Sequence, residues 1–137
     1  MGLDHSPVMV GQAKRRNRAT MRAGRLDVVE GSAESLTFDD GSFDLVVAIH
    51  VLYFWPDAGA SIQELRRVLR DGGEVAIGFS LKEYAPRLTQ DAFALTGARL
   101  AISPESVATL LQAAGYSNIR VIANGHGGYC ALGRKGG

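Results

Sequence analysis

Apolar positions in this chain fall alternately into short runs and helical stripes. The most continuous apolar run, Phe43 to Ile49, is broken only by Asp44. Such a run suits a strand covered on both faces, as in a parallel sheet. From Asp57 to Arg70 the residues Ile62, Leu65, Val68 and Leu69 recur at helical spacing, and Asp71, Gly72 and Gly73 stop the pattern before a strand from Glu74 to Phe79. Upstream, Ser6 and Pro7 form a helix start, with serine as the cap and proline in the first turn. That helix is predicted to run to about Arg22, with Met9, Val10, Ala13 and Met21 inward. Leu26 to Glu30 reads as a short strand ending at Gly31, and Asp39 to Ser42 as a turn.

The second half continues the alternation. Residues 81 to 102 are irregular, and a connection of that length suits a functional lid, with Tyr84 and Phe93 as its candidate contacts. Ser103, Pro104 and Glu105 open a helix whose apolar stripe is Val107, Leu110, Leu111 and Ala114, ended by Gly115. Two strands follow, roughly Asn118 to Ala123 and Gly128 to Leu132, close enough to pair as an antiparallel hairpin. The tail from Gly133 to Gly137 reads as frayed. The pattern predicts one α/β domain over residues 1–137: a mainly parallel sheet with helices on both faces and a C-terminal antiparallel hairpin.

Composition narrows the class. A length of 137 residues with 46% apolar and 21% charged residues suits a globular domain with a real core. A formal charge of +1 gives no global pull toward nucleic acid or an anionic membrane. The cations from Lys14 to Arg25 cluster near a helix C-terminus, where the dipole favours them, and read as a solvated face. The expectation is no nucleic-acid partner and no membrane. One cysteine, Cys130, excludes an internal disulfide framework, and a cytoplasmic location is expected. His5, His50 and His126 lack metal-ligand spacing, so no metal is expected. No nucleophile elbow or P-loop occurs.

The candidate chemistry gathers where predicted strands end. Ligands of open α/β sheets bind beyond the carboxyl ends of the strands. Asp4 stands between a first short strand and the Ser6 helix, and an ionised carboxylate there can accept two hydrogen bonds from a vicinal diol. Gly31 to Glu34 follows the next strand, and Ala48, Ile49, His50 and Tyr53 follow the apolar run.

Together these segments resemble the class I S-adenosylmethionine-dependent methyltransferases (methyltransferase type 11-like). The resemblance rests on Leu3 to Met9, on Gly31 to Glu34, on Leu36 to Asp57, and on Glu64, Arg67, Val68, Leu69, Gly72 and Gly73, which match a Glu-x-x-Arg-Val-Leu-x-x-Gly-Gly signature. It implies S-adenosyl-L-methionine as cofactor. Asp4 would bind the ribose, while His5 and Met9 would contact the nucleoside. Ser32 replaces the family's adenine-binding aspartate in the loop with Ala33 and Glu34, which weakens adenine recognition by removing charge assistance. Ala48 and Ile49 would lie beside the methionine part. Catalytic residues are not fixed by the resemblance; Tyr53 and His50 are the candidates. The function implied is methyl transfer to a small molecule; the alternative is a non-catalytic α/β module acting by self-association or partner binding.

The resemblance also implies that the family's first strand and glycine-rich loop would lie upstream of Met1, leaving an N-terminally truncated domain. Neighbouring strands would then keep unpaired backbone groups. The expected consequences are a homodimer or strand exchange, with impaired cofactor binding.

Overall fold

The local signals form the elements they specify. Ser6 Oγ accepts from Met9 N at 3.4 Å and Pro7 occupies the first turn, opening α1 (Pro7–Arg16) in the computed structural model, which describes residues 1–81 and 102–136. The single helix expected to Arg22 is divided at Asn17. Its side-chain amide donates to Ala13 O at 2.8 Å, a local bond that competes with the helical ladder, and a short α2 (Arg18–Arg22) follows. Strands β1 (Gly2–Asp4) and β2 (Val28–Glu30) pair in parallel, with Asp4 opposite Glu30. Val10 and Val28 are the buried apolar residues of this lobe, whereas Met9, expected inward, is 50% exposed.

A second, larger sheet contains β3 (Phe43–Ile49), β4 (Leu69–Ser80), β5 (Tyr116–Ala123) and β6 (Gly128–Lys135) in the order β3-β4-β6-β5. The β3–β4 pair is parallel and the two pairs involving β6 are antiparallel. The α/β architecture and the C-terminal hairpin are as expected, although the larger sheet is mixed. Residues up to Lys135, expected to fray, extend β6 instead: Lys135 pairs with Tyr116, and its Nζ donates to Leu69 O at 2.7 Å.

Helix α3 (Ala58–Val68) starts at Asp57, whose carboxylate accepts from Ala60 N at 3.0 Å. Helix α4 (Pro104–Ala113) starts at a reciprocal capping box between Ser103 and Ser106. Between α3 and the regular part of β4, the register passes from Phe43 opposite Leu69 to Leu45 opposite Glu74, so the chain bulges at residues 70–73. Gly73 sits inside this bulge, where a Cβ would come 2.9 Å from Arg70 O and 3.0 Å from Asp44 O. Only glycine fits that approach. Asp44 and Arg70 form an ion pair across the same bulge.

Ile62 and Leu65 of α3, Val107 and Leu111 of α4, and Val75, Ile77 and Phe79 of β4 form the core, all at 5% exposure or less. Among the described residues, the opposite sheet face has no helix packed on it. Leu45, Val47, Ile49 and Ile122 are 55%, 53%, 60% and 53% exposed. Cover on both faces was expected; among the described residues only one face of this sheet has it. An uninterrupted apolar run cannot reveal the difference, because alternate residues point to opposite sides: Val46 and Ala48 face the core while their neighbours face out.

Candidate functional site

Asp4 lies at the carboxyl end of β1. Its Oδ1 accepts from Ser6 N at 2.8 Å, which fixes the carboxylate at the strand-to-helix turn. Its side chain is 41% exposed, and no protein donor to Oδ2 is seen among the described residues, so that oxygen is open to a ligand hydroxyl. Gly31 N donates to Asp4 O at 3.0 Å, bringing the loop after β2 against the same turn. A Cβ on Gly31 would meet Leu3 Cδ1 at 3.0 Å, so glycine keeps the two strand ends close. In the loop, Ser32 Oγ accepts from Glu34 N at 3.3 Å, and Ser32 pairs with Ser35 in a narrow turn. Glu34 Oε1 accepts from Asp57 N at 3.4 Å, tying this loop to the start of α3. His5 and Met9 are both exposed on the neighbouring helix entry.

A charged latch, not foreseen as a functional element, holds the rest of the loop. Glu64 Oε2 accepts from Leu36 N at 2.9 Å, while Arg67 donates to Leu36 O at 2.9 Å and Phe38 O at 2.8 Å. Arg67 also binds Glu64 at 2.8 Å and Asp40 at 2.7 Å. These hydrogen bonds hold the Arg67 guanidinium above its ordinary range. The Arg67 hydrogen bond likewise holds the Glu64 carboxyl below its ordinary range, outweighing the opposing effect of burial. The signal was the Glu-x-x-Arg spacing on α3, which places both side chains on one helix face. Two charges on α3 thus anchor backbone groups nearly thirty positions away.

At the end of β3, Ala48 is buried with its side chain in the core, and Ile49 lies across Gly78 on the bare face. Any contact between Ala48 and a ligand therefore falls to its backbone. His50 follows with φ +54, an unusual left-handed conformation for a histidine. Its Nδ1 lies 3.3 Å from the Tyr53 hydroxyl. That hydroxyl donates to Ser80 O at 3.3 Å and accepts from Ser80 N. Nδ1 of His50 donates to the Tyr53 oxygen in one tautomer, which leaves the lone pair on Nε2, and accepts from the hydroxyl in the other. Burial pushes the Tyr53 phenol above its ordinary range, against the lowering effect of its Ser80 bonds. Tyr53 thereby joins the ends of β3 and β4 and orients His50.

The fold thus gathers Asp4 with the Gly31 to Glu34 loop, and separately gathers His50, Tyr53 and Ser80 at the end of β3. The loop reaches the second group's following helix through Glu34 and Asp57. Tyr84 and Phe93, expected in a lid, lie outside the described residues. The two best-defined concavities of the described residues lie elsewhere, each of about 390 Å³: one beside Lys14, Arg18 and Arg22, the other beside Glu74, Arg120 and Arg134. Among the described residues there is no cluster of histidine, cysteine and carboxylate side chains suited to a metal, and no helix long and apolar enough to cross a membrane.

With this geometry in place, the sequence match to the methyltransferase domain over residues 1–77 has a physical basis. The chain belongs to that family, the class I S-adenosylmethionine-dependent methyltransferases, whose cofactor is S-adenosyl-L-methionine. The phthiotriol/phenolphthiotriol dimycocerosates methyltransferase of Mycobacterium tuberculosis is 39% identical over 72 residues, covering 53% of this chain and 25% of that protein. The Mycobacterium leprae protein of the same description is 36% identical over 75 residues, covering 55% of this chain and 26% of that protein. The chain therefore spans about a quarter of the length of these curated relatives. In fold, it is similar to an S-adenosylmethionine-dependent methyltransferase of Thermotoga maritima with a TM-score of 0.76 at 20% identity, over 98% of this chain and 72% of that one. An S-adenosylmethionine-dependent methyltransferase of Aquifex aeolicus gives 0.72 at 18% identity, over 96% of this chain and 66% of that one.

Proposed function

We propose that this chain contributes the nucleoside-binding wall and a proton-accepting group to S-adenosylmethionine-dependent methyl transfer onto a small molecule. The residues fit the nucleoside half of the cofactor: Asp4 offers an acceptor-only carboxylate oxygen to a ribose diol, and the Gly31 to Glu34 loop stands beside it. Ser32 and the Ala33 backbone face the adenine role without a charged acceptor. The described residues supply no comparable donor set for the methionine half. When bound, the cofactor supplies an activated methyl group on a sulfonium. The protein's part is to hold the acceptor in line and exclude water.

His50 is the residue proposed to hold the acceptor's proton, and its tie to Tyr53 is the observation that carries this assignment. A base must present a lone pair, and the Nδ1–H tautomer, with the Tyr53 oxygen as acceptor, leaves it on Nε2. An acceptor with a proton to lose, such as a hydroxyl, gains from this arrangement. Nitrogen-15 NMR of the histidine side chains tests it without any substrate. The expected result is the Nδ1–H tautomer at His50, lost in Tyr53→Phe. An Nε2–H tautomer in the unmodified protein would remove His50 from the role.

Cofactor affinity is a separate expectation. Calorimetry should give a dissociation constant for S-adenosyl-L-methionine well above about 10 μM, and Asp4→Ala should weaken it roughly tenfold further through loss of a charge-assisted hydrogen bond. Binding at about 1 μM would contradict the weakened site, and an Asp4→Ala variant with unchanged affinity would contradict the ribose role.

A further inference from the structure

The bare face of the larger sheet has a register that is complementary to itself. Across its central strands, Glu74 of β4 stands beside Arg134 of β6, Ala76 beside Leu132, and Gly78 beside Cys130. The Gly78–Cys130 row continues to Ile49 on β3 and Ile122 on β5. Large side chains therefore flank small ones, with one anion and one cation at the same end. Neither Glu74 nor Arg134 forms an ion pair among the described residues.

We propose that this face closes against the same face of a second copy, about a twofold axis parallel to the strands and midway between β4 and β6. That operation exchanges β4 with β6 and β3 with β5 while keeping every row in place. Glu74 then meets the partner's Arg134, Ala76 meets the partner's Leu132, and Gly78 meets the partner's Cys130. Ile49 meets the partner's Ile122. Each small residue receives a larger one, and the Glu74–Arg134 pair forms twice, once on each side of the axis. Arg120, opposite the partner's Val47, lays its aliphatic stem on the apolar surface and keeps its charge at the rim.

The dimensions agree with a face-to-face contact. Four strands at about 4.8 Å and three rows at about 6.6 Å cover roughly 400 Å². Two such faces with their rims approach the roughly 1,000 Å² needed for a specific interface. Strands running in the same direction in both copies give the aligned sheet packing seen in sandwiches. The residues of this contact lie on β3, β4, β5 and β6, and Asp4 is not among them.

Sedimentation of the full chain across a concentration series tests the arrangement. A dimer with a dissociation constant of about 10 μM or tighter is expected. Glu74→Arg should weaken it roughly tenfold to a hundredfold, and adding Arg134→Glu should restore it. Ile122→Lys should give a monomer with an unchanged circular dichroism spectrum, because Ile122 is exposed on an outer strand. Alkylation of Cys130 should slow as the dimer forms. A chain that stays monomeric at about 200 μM overturns the proposal. So does a dimer indifferent to both Glu74→Arg and Ile122→Lys, which would place the contact elsewhere, including the free edge of β3.

Discussion

Phe79→Ala is expected to destabilise the protein by about 3–5 kcal/mol, the ordinary cost of emptying a fully buried aromatic site. Phe79 is 1% exposed and stacks on Tyr129 with ring centroids 5.6 Å apart. The loss combines the transfer of the ring with the void left between β4, β6 and the two helices. Among the described residues the larger sheet is packed on one face, so no second layer is present there to absorb the loss. Domains of this size hold only about 5–15 kcal/mol in total, so the variant should be substantially unfolded by mild denaturant. The effect should reach the site as well. Phe79 immediately precedes Ser80, whose backbone binds the Tyr53 hydroxyl that orients His50. Urea titration gives the stability, and the His50 tautomer signal reports the site. Phe79→Leu should keep much of the core volume and recover most of both. A Phe79→Ala cost below about 1 kcal/mol would show that this face is not packed as described.

The elements with local grammar were legible from the residues. Ser6, Asp57 and Ser103 cap the helices that their sequence positions announce, and Gly31, Gly73 and Gly115 fall where the chain turns or passes close to another backbone. What escaped was long-range polarity and, among the described residues, which face of the larger sheet is covered. The run from Phe43 to Ile49 reads as covered on both sides because apolarity alone carries no information about which neighbour is present. Met9 was placed inward from helical spacing, yet it lies in the first turn of a helix that packs on only two short strands. Lys135 looked like a charged tail, but its ammonium finds Leu69 O and its backbone finds Tyr116. At the candidate site, the place of Asp4 at a strand end was legible from the sequence, whereas the Tyr53–Ser80 bond joins residues 27 apart and has no sequence signature.

The Glu64–Arg67 latch gives the second large expected effect, one that depends on pH. Glu64→Ala removes the acceptor of Leu36 N and one partner of Arg67, both at partly buried positions. A hydrogen bond to a charged group contributes about 1.5–3 kcal/mol, and partial exposure brings the expected loss toward about 2 kcal/mol near neutral pH. The Glu64 carboxyl titrates below its ordinary range in the folded chain, first because of the Arg67 hydrogen bond. A depressed folded value means that the unfolded state binds the proton more readily. The contribution is therefore complete above an unfolded pKa of about 4.3 and is lost as pH falls through the lower folded value. Comparing wild type with Glu64→Gln by chemical denaturation should show a gap at neutral pH that closes in acid. A gap independent of pH would mean that shape, not charge, holds the loop. Arg67→Ala should release the same segment, and the two substitutions together should cost less than the sum, because both act on Leu36. The released loop continues from Ser32 to Glu34, so both variants should also weaken S-adenosyl-L-methionine binding, although neither residue stands in the proposed nucleoside wall. Loss of affinity without loss of stability would instead assign Glu64 a direct place at the ligand.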